Sequence, residues 1–424
     1  MVGETELHYA RGCSRIDSIL YAEYTLCMHF NQADCKSETG RMVVIADDLS
    51  GAAECAAEFT PAGAAACLRL VPGSGLCDAA TVVWDLDARG AMSMPTLHAD
   101  VVASIASTRR IYVKIDSLLR GNWAALVAAV VRATGRSALL CPALPRLGRG
   151  LRDSCIHLAP GRSLVHYTGS AIEGLRQAGL QAGQYRPRAS DAAGLRQGLL
   201  QAMDKYPVTV VDAHTDAELD AMAGVLESLP GPYIAIGSAG LAGALARVLA
   251  IPRGLCTLGA TPRMAVLVGS RTGPAREQLS QLARTCGEPV RWWQPGGDLA
   301  DAFLPQGEDA PLRLYAIRPN QSGEPQGRDL ALRFVKTVLA QSPPADVYVA
   351  TGGETARALC DTLGLTQLDI LGQIEPGVCL ARLPLPNGDK HLVIKSGSFG
   401  DPATLVRIAR MSGALQALTT EKQT

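Results

Sequence analysis

The apolar run DVYVAT (Asp346–Thr351) stops abruptly at GGET (Gly352–Thr355), and a helix-like stretch follows. A buried strand that ends in paired glycines ahead of a helix lets backbone N–H groups approach a phosphate. The arrangement recurs at HLVIK-SGSFGD (His391–Asp401), so two such loops fall within one C-terminal segment. Together they point to a nucleotide pocket. That reading fails if Gly352 and Gly397 lie far apart.

From Met42 onward, apolar strands alternate with helical patterns, which is the mark of parallel α/β layers. Strands are expected at Met42–Ala46, Ala66–Val71, Thr81–Leu86, Arg110–Ile115, Ala138–Ala143, Val208–Val211 and Tyr233–Ile236. Helices are expected at Ala52–Phe59, Leu97–Ser107, Trp123–Thr134, Ala217–Ser228 and Leu241–Leu249. Between Pro145 and Arg188 the chain is rich in Gly, Arg and Pro, which reads as long loops over a site or an edge excursion.

Residues 251–263 (IPRGLCTLGATPR) lose all periodicity and read as a linker. A fresh α/β pattern opens at Met264–Gly269, followed by a helix at Gly273–Leu282. Strands Leu312–Ile317 and Asp346–Ala350 flank a helix at Asp329–Leu339, and Val378–Leu383 with His391–Ile394 form a hairpin across Pro386-Asn387-Gly388. A chain of 424 residues exceeds one ordinary core. The expected fold is therefore α/β in two domains, each a mainly parallel sheet flanked by helices, with the active site in the interdomain cleft. Residues 41–250 form the first domain and 264–424 the second. Residues 1–40 are an extension of poor periodicity, read either as upstream of the true start near Met42 or as an arm that packs on a partner subunit.

Charges balance at 40 basic against 40 acidic, so no basic excess marks a nucleic-acid binder. Anionic ligands must be met by local arginines and backbone groups. No apolar run reaches membrane-spanning length. The 12 cysteines are scattered without a C-x-x-C, as in a reduced, cytoplasmic protein; Cys13, Cys27 and Cys35 read as incidental thiols rather than a zinc set. P-loop, dinucleotide, H-E-x-x-H and G-x-S-x-G signatures are missing.

Polar residues gather where the strands end. IADDLSGA brings Asp47 and Asp48 to one such edge, where ligands of open α/β sheets bind. Adjacent strand residues face opposite sides, so one carboxylate addresses the ligand while the other caps the helix, unless both are simple capping and turn residues. WDLDARG adds Asp85, Asp87 and Arg89, and KIDSLLRGN adds Lys114, Asp116, Ser117, Arg120 and Gly121. Arginine captures carboxylates or phosphates bidentately, and Asp and Ser fix hydroxyls, so an acid with several hydroxyls is the implied ligand. CPALPRLGRG contributes Arg146 and Arg149. GSAG (Gly237–Gly240) either cradles an anion or permits tight packing, and GSRTG offers Ser270 and Thr272 as hydroxyl donors to a phosphate.

In this order, IADDLSGA, DLDAR, KIDSLLRGN, PALPRLGR, GSAGLA, GSRT, TGGET and KSGSFGD resemble the four-carbon acid sugar kinase family, from about Met42 to about Arg410. The resemblance implies ATP-dependent phosphorylation of threonate, erythronate or 3-oxo-tetronate at the terminal hydroxyl. It implies an N-terminal sugar-acid domain and a C-terminal nucleotide domain. By it, Asp47, Asp48, Asp85, Asp87, Arg89, Lys114, Asp116, Ser117, Arg120 and Gly121 line the acid pocket. Ser270, Gly352, Gly353, Glu354, Thr355 and Gly397 hold ATP, with Thr272 beside them. The chain departs from the family pattern at Ser50, at Ala53-Glu54, at Arg271 and in the stretch after Arg149.

The expected mechanism has the glycine loops gripping ATP–Mg²⁺ while Arg89, Lys114 and Arg120 anchor the acceptor's carboxylate. Asp48 or Asp116 then acts as the catalytic group that orients the hydroxyl and takes its proton. The metal ligands are left unassigned, and the partners are small molecules, with a homodimer as the assembly to test. Two rival readings are a non-catalytic sensor of sugar acid or nucleotide, and an NAD-dependent enzyme on a similar sheet; a kinase of a different small hydroxy acid is a further alternative.

Overall fold

Apolar β-branched runs at the head of the chain form strands buried on both faces. The computed structural model describes residues 41–421, apart from 74, 76, 91–92, 94, 160–164, 168, 188–191, 253, 260–262, 296–309, 319–326 and 387. The 1–40 extension, with Cys13, Cys27 and Cys35, lies outside the described residues, as does Asn387 of the expected turn.

The first half runs β1 (Met42–Ala46), α1 (Leu49–Glu58), β2 (Ala66–Arg69), β3 (Thr81–Asp85), α2 (Ala99–Ala106), β4 (Arg110–Lys114), α3 (Trp123–Thr134) and β5 (Ala138–Cys141). A single 3-10 turn at Pro145–Leu147 leads into β6 (Arg149–Arg152), β7 (Cys155–Leu158) and β8 (Val165–His166). Then come α4 (Ala171–Gln177), β9 (Ala182–Tyr185), α5 (Ala192–Lys205), β10 (Val208–Val211), α6 (Asp216–Glu227), β11 (Tyr233–Gly237) and α7 (Ala239–Val248).

The second half runs β12 (Met264–Val268), α8 (Gly273–Cys286), β13 (Val290–Trp293), β14 (Leu312–Ile317), α9 (Arg328–Gln341), β15 (Val347–Thr351) and α10 (Gly353–Thr362). It closes with β16 (Gln367–Glu375), β17 (Val378–Leu383), β18 (Lys390–Lys395), α11 (Thr404–Met411) and α12 (Ala414–Glu421).

Two mainly parallel arrays meet in one 15-stranded sheet, ordered β13-β14-β12-β15-β18-β17-β16-β2-β3-β1-β4-β11-β5-β10-β9. The join is β16, which pairs antiparallel with β2 from Gln367↔Arg69 to Ile370↔Ala66. Its burial alternates residue by residue, as a strand covered on one face requires. The segment expected as a free linker runs beside it, with the Cys256 N–H donating to the Gln373 carbonyl at 2.8 Å. Residues Gly40–Thr424 accordingly behave as one compact unit.

Register decides where the chemistry falls. Ala46 lies opposite Asp85 on one side and Lys114 on the other, and Thr351 lies opposite Val268 and Lys395. All the polar strand ends therefore emerge on the same edge of the sheet. Met42, Val44 and Ala46 pack into one core with α1 and α7, while Val43 and Ile45 pack into another with α3. The stretch read as loops between 145 and 188 instead contains the three-stranded flap β6-β7-β8, helix α4 and edge strand β9.

Leu368 on β16 is fully buried opposite Leu68. Leu368→Ala should lower unfolding stability by about 3 kcal/mol in urea melts; an unchanged midpoint would show that the join carries no weight.

Candidate active site

Asp47 and Asp48 leave β1 together, and two neighbouring carboxylates need a cation between them. Arg89 supplies it. Its Nε and Nη2 reach Asp47 at 2.9 and 2.8 Å, and Nη2 also reaches Asp48 Oδ1 at 2.8 Å. Gly121, with φ of +76°, lets the chain pass close to Arg89, since a Cβ there would stand 2.3 Å from the Arg89 carbonyl oxygen. Its place in the site is thus one of backbone clearance.

The expected split between the two aspartates takes an unforeseen form. Asp48 alone does both jobs: it caps α1 by accepting from the Gly51 N–H at 3.1 Å, and it also lines the cavity. Asp47 sits behind it, buried. Burial raises the Asp47 carboxyl despite Arg89. At Asp48 burial pushes the same way, but the charges of Arg89 and Lys114 win and hold it below the usual carboxylate range.

Lys114 is buried with its Nζ donating to the Ile115 carbonyl at 3.1 Å; burial opposes its charge, and Asp48 and Asp47 restore it. Asp116 is chelated by Arg120 at 2.8 and 2.6 Å and accepts from the Leu118 and Arg120 N–H groups. Burial alone would raise its carboxyl, but Arg120 and Arg89 hold it well below the usual range. Ser117 accepts from Arg149 Nη1 at 2.5 Å. Asp85 is bonded by Arg357 of α10 at 2.8 Å, and Asp87 pairs with Arg328 of α9, so both join the two halves of the chain. Burial pushes the Asp85 carboxyl up to about 7 against the pull of Arg357.

On the facing side, the loops after β12, β15 and β18 interlock. Gly352, with φ of +98°, donates its N–H to the Lys395 carbonyl at 2.7 Å, and Thr272 Oγ1 donates to the Gly397 carbonyl at 2.7 Å. Cβ atoms at Gly352 and Gly397 would stand 3.4 and 2.0 Å from Ser270 side-chain atoms, so both glycine loops converge on Ser270. Thr355 is buried against Gly269. Lys395, fully buried, donates to the Ser396 and Phe399 carbonyls at 2.8 and 2.9 Å and thereby shapes the SGSF turn.

Two adjoining compartments result. The inner, of about 40 Å³, is walled by Asp48, Glu54, Lys114, Asp116, Ser117, Arg120, Arg149 and Phe399. The outer, of about 270 Å³, is walled by Asp48, Asp87, Arg89, Ser270, Thr272, Gly353, Glu354 and Gly397. Asp48, Ser50, Arg89, Arg120, Ser396 and Ser398 border both. Asp47, Asp85, Gly121, Gly352 and Thr355 stand behind these walls rather than in them.

Sequence reasoning gave no site role to Phe399, Arg328 or Arg357, and touched Glu54 and Ser238 only as a departure from the family pattern and as part of GSAG. Glu54 pairs with Arg146, whose guanidinium also covers the Phe399 ring at 5.5 Å. Ser238 caps α7 and donates to the Ala143 carbonyl at 3.0 Å. Only Phe399 and Ser238 carried a local signal, as members of the SGSFG and GSAG loops.

A compartment rich in arginine and carboxylate side chains thus adjoins one walled by glycine loops and hydroxyls. A sugar-binding N-terminal domain model matches residues 42–245, and a nucleotide-binding C-terminal domain model matches residues 314–405. The chain is 32% identical over 412 residues to D-threonate kinase of Cupriavidus necator, covering 86% of this chain and 96% of that one. It is 26% identical over 424 residues to 3-oxo-tetronate kinase of the same organism, covering 84% and 94%. A Salmonella typhimurium LT2 crystal structure shares the fold with a TM-score of 0.65 at 20% identity, over 87% of this chain and 99% of that one. The chain belongs to the four-carbon acid sugar kinase family. Among the described residues no helix is long and apolar enough to cross a membrane.

Burial lowers the Lys395 ammonium to about 8, with Glu375 pulling the other way. A folded pKa below the unfolded value of 10.5 means wild type carries a charge penalty below pH 8 that fades as pH rises toward 10.5. Relative to Lys395→Met, wild type should therefore gain up to about 3 kcal/mol across that window. Urea melts of both proteins on either side of it measure the change; a constant difference would refute the burial cost.

Proposed function

We propose that this chain transfers the γ-phosphoryl group of ATP to the terminal hydroxyl of a four-carbon sugar acid. The observation that carries this reading is the position of Asp48 on the wall shared by the two compartments. The inner compartment, in the half formed by residues 41–250, takes the acid. The outer one, walled largely by residues 264–424, takes the triphosphate on the loops that carry Ser270, Thr272, Gly353, Glu354 and Gly397. Threonate and 3-oxo-tetronate, named by the relatives, and erythronate are the acceptors to test.

The donors in the outer compartment fit a Mg²⁺ ion, which takes one or two carboxylates and completes its shell with phosphate oxygens and water. Glu354 would be the carboxylate that holds it, with Ser270 and Thr272 as hydroxyl neighbours. There it would neutralise charge on the phosphates. Phosphoryl transfer asks little of a base, because the proton leaves late and positioning dominates. Both oxygens of Asp116 are already engaged by Arg120 and the backbone. Asp48 also accepts from Arg89, Gly51 and Ser50, but it borders both compartments whereas Asp116 lines only the inner one, so Asp48 is the group that orients the acceptor hydroxyl and receives its proton.

An ADP-release screen over C3–C5 aldonic and keto-aldonic acids tests the reaction; no release above ATP hydrolysis with any acid would refute it. Asp48→Asn should lower kcat by about 100-fold or more with ATP KM little changed. Gly397→Ala, whose Cβ would stand 2.0 Å from Ser270 Oγ, should raise ATP KM and leave acceptor KM alone. An unchanged ATP KM would move the triphosphate elsewhere.

A further inference from the structure

The inner compartment holds four cations, and three are already committed. Arg89 spans Asp47 and Asp48, Arg120 chelates Asp116, and Lys114 lies in the field of Asp48 and Asp47. Arg146, nearby, is taken by Glu54. Arg149 differs. It is half-buried and lines the cavity, and its Nη1 donates to the neutral Ser117 hydroxyl at 2.5 Å. No carboxylate of the described residues lies within ion-pair distance of it. Burial lowers its guanidinium, and Asp116 offsets this only from a distance.

Its backbone is set firmly. Leu144 and Arg149 exchange N–H···O bonds of 2.8 and 3.2 Å around the 3-10 turn at Pro145–Leu147. Gly148 closes that turn at φ of +65°, with the Ala159 carbonyl 3.2 Å from where a Cβ would sit. A cation on a fixed turn, facing a polar cavity without a counter-charge, is a receptor for an anion.

We propose that Arg149, steadied by Ser117, receives the carboxylate of the acceptor acid, while Arg89 and Arg120 stay bound to their aspartates and serve as scaffold. This rests on the kinase reading above and replaces the expectation that Arg89, Lys114 and Arg120 grip that carboxylate. The acid then lies with its carboxylate at Arg149, at the start of β6, and its far hydroxyl directed toward Asp48. Specificity follows: the site selects an acid over the matching neutral polyol.

The test compares wild type, Arg149→Met and Arg149→Lys in ADP release with D-threonate and with D-threitol, which carries CH₂OH in place of the carboxylate. Arg149→Met should raise D-threonate KM by about 100-fold, leave ATP KM unchanged and erase the preference for D-threonate over D-threitol. Arg149→Lys should fall between the two, because an ammonium cannot make the bidentate pair. Loss of an uncompensated cation should leave Tm equal or higher, which a purely structural role would not do. An unchanged D-threonate KM in Arg149→Met, or a wild type that uses D-threitol equally well, overturns the proposal. If Arg149→Met proves insoluble, an unchanged KM in Arg149→Lys overturns it instead. If wild type releases no ADP with any acid, the kinase reading fails; thermal shift by D-threonate alone, present in wild type and lost in Arg149→Met, then still decides the role of Arg149.

Discussion

Two adjacent carboxylates at the end of a buried strand would repel each other, and the fork of Arg89 between Asp47 and Asp48 resolves that conflict. Everything around the inner compartment is arranged about this fork. Gly121 gives up its side chain so that the Arg89 backbone fits. Lys114 adds a second positive charge beneath the pair. The outcome is a half-buried carboxylate at Asp48 that its neighbouring cations hold below the usual range.

The halves of the molecule are held by arginines reaching across the seam. Arg357 meets Asp85 and Arg328 meets Asp87, both from helices of the second half onto one strand end of the first. Arg146 makes the reverse journey to cover Phe399. Breaking a buried pair leaves an unpaired charge in a poor solvent, so such contacts specify alignment more than they add net stability. The aspartates of WDLDARG thus brace the cleft, and Arg89 of the same motif organises it.

Strand ends and glycine loops were legible because their signals are local: an apolar run, then glycine or aspartate, then a helix. Met42–Ala46, Trp123–Thr134 and Leu312–Ile317 form where periodicity placed them. The convergence of Gly352 and Gly397 on Ser270 follows from parallel neighbours of like register. The nine-residue β16 was not legible, because apolar Leu371 falls on its more open face and Gly372 takes a buried position, so its sequence does not alternate although its burial does. The flap was hidden because its strands are only two to four residues long and mix Arg and His with few apolar residues. Pairings such as Arg357 with Asp85, 272 residues apart, leave no trace in local spacing. Which arginine stays uncommitted depends on the sum of all such pairings, so Arg149 could be noticed in a loop yet not singled out.

The ladder between β2 and β16 is only four residue pairs wide. Beyond it, each half carries its own broad parallel array with helices on both faces. A slab narrowed to such a waist resists shear, because backbone bonds would have to break, but yields to twist, because strand pairs tolerate a wide range of dihedral offset. Any opening by such a twist would also have to break the Arg357–Asp85 and Arg328–Asp87 pairs, which cross the same seam.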